Sequence, residues 1–410
     1  MSSAPLSAET IAIVKATAPV LDQHGETLTR HFYQRMFREN PEVLPLFNPS
    51  NQHSGGQQKA LAGAICAYAA NIDNLEVLGG AVELISQKHA SLLIAPEHYP
   101  IVGANLLAAI REVLGEAATD EVIAAWAQAY GFLADILIGR ERQIYEAQAA
   151  QANGWRGFKP FRVERKVVES DAVASFYLRP ADGAHVPAFK AGQYITVRAP
   201  YGDSTTMRNY SLSDKPGHDY FRISVKRETG LNAMTPNGMV SNWLHDAIEE
   251  GAVLDIAPPC GEFCLEPASH PERPLVLLAA GIGITPILSM LEQAVETTPD
   301  RDIIFIHGNY SRAAHAFRSR LEALKVVHLN LRVHFRYNDT QGETDGHISA
   351  GMIDAALIES LVPGRDADYY FCGPHGFMTA IYRELLAWGI PAPQVHFEFF
   401  GPKQGLDAAA

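Results

Sequence analysis

His89 falls in the register of Leu78, Val82, Ile85 and Leu92, which recur at spacings of three and four. A helix with that spacing turns the imidazole toward a core. Alone, such a residue reads as a core histidine satisfied by one hydrogen bond. It is not alone: Gln57 stands four before Leu61, and Glu141 stands four after Leu137 on a face that begins at Ile123. An imidazole, an amide and a carboxylate on inward faces need partners, because burying them unpaired costs several kcal/mol. With Tyr33 and Tyr99 they suggest one polar pocket. A single neutral histidine projecting into an apolar pocket is what a haem iron takes as its protein ligand. Glu141 would accept the other ring N–H, fixing the tautomer and enriching the ligand in electrons, and Tyr99 would join that network. Tyr33 and Gln57 would donate hydrogen bonds to a diatomic ligand on the other side.

A second chemistry sits in the middle of the chain. Arg208-Asn209-Tyr210-Ser211 follows a barrel-type strand. A guanidinium pairs with a pyrophosphate, a tyrosine ring stacks on an isoalloxazine, and a serine hydroxyl reaches a flavin nitrogen. By itself the pattern reads equally as strand residues. Its company is Gly192-Gln193-Tyr194 before it and Gly238-Met239-Val240-Ser241 after it, the latter opening a short helix whose N–H groups suit a phosphate. The set resembles the FAD domain of the ferredoxin-reductase type. Leu275–Ala280 then runs into Gly281-Ile282-Gly283-Ile284-Thr285-Pro286 and a helix, a strand–turn–helix that cradles phosphates. Cys372-Gly373-Pro374 ends a later strand. It resembles the second half of the nicotinamide site in the same reductases; otherwise Cys372 is a buried strand cysteine.

The elements that must carry these groups change character twice along 410 residues, a length that suggests two to three domains. Residues 1 to about 148 are Ala-rich with helical periodicity, including Leu61, Ile65, Tyr68, Ile72 and then Ile123, Trp126, Tyr130, Leu133, Leu137, with Asp120 as the cap of the last series. A break between Leu93 and Pro96 separates two of the helices. Gly154 and Gly157 mark a linker. From 160 to 265 the period becomes two, as in Phe221, Ile223 and Val225 and in Gln193–Val197, which reads as a small antiparallel barrel. From 270 onward, Leu275–Ala280, Ile303–His307, Leu331–Tyr337 and Tyr369–Cys372 alternate with helices, implying a parallel, helix-covered sheet.

Composition narrows the function classes. Apolar residues make up 47% and charged residues 19%, with a net charge of −13; that acid balance argues against nucleic-acid binding. Cys66, Cys260, Cys264 and Cys372 are too few and scattered for a disulfide scaffold, and the Cys260–Cys264 pair lacks partners for a zinc site. The longest apolar run, Leu275–Ile287, is broken by glycine and proline and is short for a bilayer span. The N-terminus has no signal-peptide pattern. The expectation is a cytoplasmic protein without integral membrane association.

At the level of family, His31-Phe32-Tyr33-Gln34-Arg35-Met36-Phe37, Leu46-Phe47-Asn48, Gln57-Gln58-Lys59-Ala60-Leu61 and Gln87-Lys88-His89-Ala90 resemble the globin domain of bacterial flavohaemoglobins. The resemblance continues along the chain in that family's domain order. It implies an all-α globin over 1–148, an antiparallel β-barrel FAD domain over 155–265, and an α/β parallel-sheet NAD(P)-binding domain of ferredoxin-reductase type over 270–410. On the family's pattern His89 matches the proximal ligand of a b-type haem. Tyr33, Gln57 and Leu61 match the distal pocket, Phe47 the ring that wedges the haem, Lys88 a residue near a propionate, and Tyr99 and Glu141 the proximal pair. His24, His31, His53 and His98 are rival histidines read as surface residues. Phe397-Glu398-Phe399-Phe400-Gly401-Pro402 resembles the closing segment, with Glu398 near the flavin–haem contact and either Phe399 or Phe400 on the flavin. Leu231–Gly238 reads as a surface insertion.

The activity this resemblance implies is nitric oxide dioxygenation by a monomer: hydride passes from NAD(P)H to FAD, single electrons pass to haem, and NO and O₂ become nitrate. Two other readings stand beside it: a flavin-dependent reductase of peroxides or quinones, and a haem-based gas sensor. NADH and NADPH are not distinguished. Asn309-Tyr310-Ser311-Arg312 offers no carboxylate for a ribose hydroxyl, and Arg312 reads as either a 2′-phosphate partner or a solvated loop arginine.

Overall fold

The computed structural model describes residues 5–48, 55–230, 237–267, 270, 272–342, 344–362 and 364–401. The chain divides into two compact units, one built on residues 1–150, to which 198–208 also belong, and one that holds most of the remainder.

Up to residue 150 the first unit is helical: α1 (Ala8–Glu39), α2 (Gly56–Ala70), α3 (Gly79–Ser91), α4 (His98–Leu114) and α5 (Asp120–Ala150), with a 3₁₀ turn at Pro41–Leu46. Ser7 caps α1 by accepting from the Thr10 N–H. Its core gathers Leu28, Phe32, Met36, Tyr68, Ile110 and Trp126. The expected cap of α5 moves by one residue: Thr119 Oγ1 accepts from the Val122 N–H at 3.3 Å, while Asp120 is the first helical residue and pairs with Arg111. Threonine reaches the N–H three residues on as well as aspartate does. α5 is long and apolar enough to cross a membrane by length and composition, yet it carries Glu141 inward within the helical core.

The second unit begins with β1 (Lys159–Val168), β2 (Val173–Pro180), β3 (Tyr194–Tyr201), β4 (Ser204–Ser211), β5 (Phe221–Lys226), α6 (Met239–Ala247) and β6 (Val253–Cys260). The strand order is β4-β3-β6-β1-β2-β5, antiparallel at β1–β2, β1–β6 and β2–β5. An antiparallel bridge from Leu212 to Ile223 ties the two edges of the order together, which removes the open strand edges of a flat sheet.

β7 (Leu275–Ala280), α7 (Ile284–Thr297), β8 (Ile303–Asn309), α8 (Arg318–Val327), β9 (Leu331–Tyr337), β10 (Ile348–Ala350), α9 (Ala355–Leu361), β11 (Asp368–Cys372), α10 (His375–Ala387) and β12 (Val395–Glu398) follow. Their sheet is parallel throughout, in the order β10-β9-β8-β7-β11-β12. Leu275, Val276, Leu277, Leu278 and Ala279 are all buried, because helices cover both faces and no alternation is needed. The chain winds outward from β7 to β10 and then returns to the other side of β7. The crevice at the carboxyl ends of β7 and β11 is therefore a topological switch point, where open α/β sheets bind ligands.

Candidate active site

In the helical unit, three side chains from three helices meet. His89 Nδ1 lies 2.7 Å from Glu141 Oε1 and 3.1 Å from the Tyr99 hydroxyl, and that hydroxyl donates to the same carboxylate oxygen at 2.5 Å. Glu141 is 2% and Tyr99 7% exposed. A carboxylate accepts only, so Nδ1 carries the ring proton and Nε2 is left as the lone-pair nitrogen. Burial first, and then Glu141, push the Tyr99 phenol well above its usual range, so it stays a donor.

The supports are visible. Tyr130 donates to the Tyr99 carbonyl at 2.6 Å, and a Cβ on Gly103 would come within 2.5 Å of the Tyr130 ring, so that glycine is what lets the ring seat. Glu83 on α3 grips Arg140 on α5 through two bonds of 2.6 and 2.9 Å. That fork fixes the helices bearing His89 and Glu141 relative to each other. Lys88 lies half-buried beside His89.

Tyr33 is buried among Phe32, Phe37 and Phe47, with centroid distances of 4.9, 5.8 and 5.8 Å. Burial pushes its phenol well up, and a hydrogen bond with Gln57 pulls the other way. Leu61 packs against the same core. Of the four rival histidines, His31 pairs with Glu112, His98 Nδ1 accepts from the Ala95 N–H, and His24 is half-buried; His53 lies outside the described residues.

Among the described residues no three His, Cys, Asp or Glu gather to hold a bare metal ion. One imidazole with an uncommitted Nε2 suits instead a metal whose macrocycle brings its own four donors, and the residues fit haem.

In the barrel, Arg208, Asn209, Tyr210 and Ser211 lie within β4 rather than after it. Thr196 Oγ1 donates to Asn209 Oδ1 at 2.8 Å, and Arg208 Nη1 donates to Thr206 Oγ1 and the Met207 carbonyl. Gly192 has φ +106°, and a Cβ there would meet the Phe263 carbonyl at 2.1 Å; Tyr194, buried at the start of β3, underlies Gly261. Ser241 stands in the first turn of α6, as its motif suggests, but its hydroxyl donates to the Gly238 carbonyl and accepts from the Glu228 N–H. Any anion there would meet the helix N–H groups. Cys260 and Cys264 are buried thiols. Of the expected insertion, 231–236 lie outside the described residues.

At the switch point the two predicted halves touch. A Cβ on Gly283 would sit 2.2 Å from the Cys372 carbonyl and 2.6 Å from the Gly373 nitrogen, so the turn Gly281–Gly283 packs directly on Cys372–Gly373. Ile284, Thr285 and Pro286 open α7 and are buried, with Thr285 Oγ1 donating to the Ile282 carbonyl. Pro374 caps α10. Burial pushes the Cys372 thiol well above its usual range. Glu398 pairs with Cys372 in the β11–β12 register. Phe399 packs into the core of this sheet, edge-on to Phe397 and tilted on His375. Phe400 is 49% exposed and Gly401 has φ +148°; Pro402 lies outside the described residues.

Family models match in the same order: "Globin" over 30–137, "Oxidoreductase FAD-binding domain" over 160–264 and "Oxidoreductase NAD-binding domain" over 277–383. A flavohemoprotein of Rhodopirellula baltica is 50% identical over 410 residues, covering 98% of this chain and all of the relative. The chain belongs to the flavohemoprotein family. The crystal structure of a Malassezia yamatoensis flavohemoglobin with bound FAD and heme superposes with a TM-score of 0.84 at 30% identity, over 97% of this chain and 100% of that one. The FAD/NAD-binding domain of a Vibrio cholerae nitric oxide dioxygenase matches 60% of this flavohemoprotein, and 100% of that chain, with a TM-score of 0.54 at 32% identity. The chain is an oxidoreductase with globin, FAD-binding and NAD-binding domains, and its cofactors are haem, FAD and a nicotinamide nucleotide.

Sequence reasoning missed two buried polar groups. Arg222 lies between Asp214 (3.3 Å) and Glu292 (3.8 Å), and Arg320 closes on Glu292 at 2.7 Å. His307, His315 and Tyr337 form a second chain. Their members are far apart in sequence, and no local spacing announces them.

Proposed function

We propose that this flavohemoprotein is a nitric oxide dioxygenase, with the balance 2 NO + 2 O₂ + NAD(P)H → 2 NO₃⁻ + NAD(P)⁺ + H⁺. The observation that carries the reading is the His89–Glu141–Tyr99 triad, which commits Nδ1 and leaves Nε2 for a metal; the Vibrio cholerae relative supports it. When bound, the nucleotide would supply hydride, FAD would divide it into single electrons, and haem would supply a redox-active iron for O₂.

The chain's own residues do the rest. His89 would hold the iron through Nε2, while Glu141 and Tyr99 retain the Nδ1 proton and raise the basicity of the ring. Tyr33, kept protonated by burial, would donate to a diatomic ligand, and Gln57 orients that hydroxyl. Leu61 and Phe47 would exclude water from the same side, and Lys88 would pair with a propionate. In the barrel, Arg208 would pair with the flavin pyrophosphate, Tyr210 would stack on the isoalloxazine, and Ser211 and Asn209 would bond its polar edge. Tyr194 backs that wall, and the first turn of α6 with Ser241 meets phosphate. Gly281, Ile282, Gly283, Ile284, Thr285 and Pro286 cradle the nucleotide pyrophosphate, and Cys372, Gly373 and Pro374 face the nicotinamide. Glu398 stands beside them. Of the two closing rings, Phe400 is the one available to the flavin, since Phe399 is taken up by the core; Gly401 and Pro402 complete that segment. The functional divisions are 1–148, 155–265 and 270–410, and the enzyme works as a cytoplasmic monomer.

Tyr33→Phe tests the assignment by stopped flow. Losing one hydrogen bond worth about 1 kcal/mol should speed O₂ release roughly fivefold and slow NO consumption, with FAD reduction by NAD(P)H unchanged. Equal loss of both activities would refute the role.

A further inference from the structure

Behind the Gly281–Gly283 turn runs a chain of polar groups that the chemistry above does not use. His307 Nε2 lies 3.0 Å from the Gly281 carbonyl oxygen. Its Nδ1 lies 2.9 Å from His315 Nε2, and His315 Nδ1 lies 2.6 Å from the Tyr337 hydroxyl. His307 is fully buried, and His315 and Tyr337 nearly so. A carbonyl only accepts, so the proton of His307 sits on Nε2 and its Nδ1 accepts. His315 must then donate from Nε2 and accept on Nδ1 from Tyr337. Two neutral imidazoles, each a donor at one nitrogen and an acceptor at the other, satisfy every link in one direction. Burial favours that state: it pulls His307 down to about 4 and His315 well below the usual range. Asn309 Nδ2 lies 3.2 Å from His307 Nδ1 and 3.0 Å from Nε2, near both ring nitrogens and committed to neither.

The placement is informative. The chain joins the carboxyl ends of β7, β8 and β9, beside the crevice where an open parallel sheet takes its ligand. One end grips the carbonyl of a glycine with φ +53°, the first residue of the turn that packs on Cys372–Gly373. The middle member, His315, lies in the segment 310–317, which has no regular secondary structure and ends at Phe317 with φ 64°. That segment follows the strand whose end, in dinucleotide-binding sheets, meets the ribose. One buried chain thus sets both the turn that would face the pyrophosphate and the segment that would face the adenosine half.

We propose that His307 and His315 are positioning residues for the nicotinamide nucleotide, holding the Gly281 carbonyl and the 310–317 segment in one fixed relation through Tyr337. The proposal rests on the nucleotide reading of the glycine turn. The test uses the full-length holoprotein and calorimetric titration with NAD⁺ and with NADP⁺. Stopped-flow flavin reduction and amide hydrogen exchange over 281–285 accompany it.

Three variants are compared. His307→Leu should weaken binding of the preferred nucleotide about tenfold, the equivalent of one buried hydrogen bond left unmade. It should also speed exchange over 281–285, leave flavin and haem content intact, and change the limiting rate of flavin reduction far less than its half-saturation. His307→Gln, which keeps a donor for the Gly281 carbonyl, should recover most of the affinity. Tyr337→Phe, which removes only the terminal donor, should weaken binding by about threefold. Unchanged affinity in both His307→Leu and Tyr337→Phe would overturn the proposal. So would a loss in His307→Leu that appears only as lower flavin content and melting temperature, without recovery in His307→Gln. A parent protein that binds neither nucleotide would overturn the reading of the turn itself, and this proposal with it.

Discussion

Replacing Glu141 by glutamine isolates what its charge does, because the side chain keeps its shape and one acceptor oxygen. In the parent, His89 Nδ1–H and the Tyr99 hydroxyl converge on Oε1 at 2.7 and 2.5 Å. Hydrogen bonds to an ionised acceptor are worth about 1.5–3 kcal/mol, and neutral ones about 0.5–1.5. The histidine link should therefore weaken by about 1–1.5 kcal/mol when the charge goes. The carboxylate draws the Nδ1 proton and makes the ring a stronger donor to the more positive oxidised iron. Its removal should raise the haem midpoint potential. A tenfold change, 1.4 kcal/mol, corresponds to about 59 mV for one electron, so the rise is at most about 40–65 mV, reached when the whole change falls on the oxidised state. Spectroelectrochemical titration of the haem absorption band reads it directly, with the flavin potential as an internal control. A haem-loaded Glu141→Gln protein whose haem potential is unchanged would refute the role of Glu141 in tuning the His89 ligand.

Gly283→Ala would drive a methyl to 2.2 Å from the Cys372 carbonyl; overpacking of that kind costs about 1–3 kcal/mol. Flavin reduction by NAD(P)H and the melting temperature should fall while the haem spectrum persists, and full NAD(P)H reactivity would contradict the tight seam. Burial, and then the Asp214 charge, raise Glu292 to about 7 from 4.5, so the folded state holds this proton more tightly than the unfolded chain. Its contribution to stability is greatest at low pH and is lost as pH rises from about 4.5 through 7; Asp214, whose carboxyl is lowered, acts in the opposite sense at more acid pH. Glu292→Gln should flatten the pH dependence of the melting temperature between about pH 5 and 7, and an unchanged slope would exclude Glu292 as its source.

Much of this was legible because helices and parallel strands write themselves into local spacing. The series through His89 and the one through Leu137 place the imidazole and Glu141 inward, and Leu275–Ala280 is the strand the apolar run implies. Elsewhere the signal was weak. Val173–Pro180 is buried on both faces except at Arg179, so it lacks the alternation that marks a half-exposed strand. Val253–Cys260 carries Pro258-Pro259 just before its last residue, which a pattern reader takes as a break. The Arg208–Ser211 motif reads as following a strand and lies inside one, because its polar residues mask the period. Phe399 and Phe400 read alike in the sequence, and only the packing of Phe399 against Phe397 and His375 tells the two rings apart. The buried chains through Arg222 and through His307 join residues from separate elements, and only the tertiary fold brings them together.

Consumption of NO at the haem site with electrons from the nucleotide is open to an NO-electrode trace in aerated buffer, with purified protein and NAD(P)H and then cyanide. A dioxygenase removes NO rapidly, at two NO per nucleotide oxidised, and cyanide stops it. Nucleotide oxidation without NO loss would contradict that activity and leave a flavin reductase whose globin serves another acceptor or a sensing role.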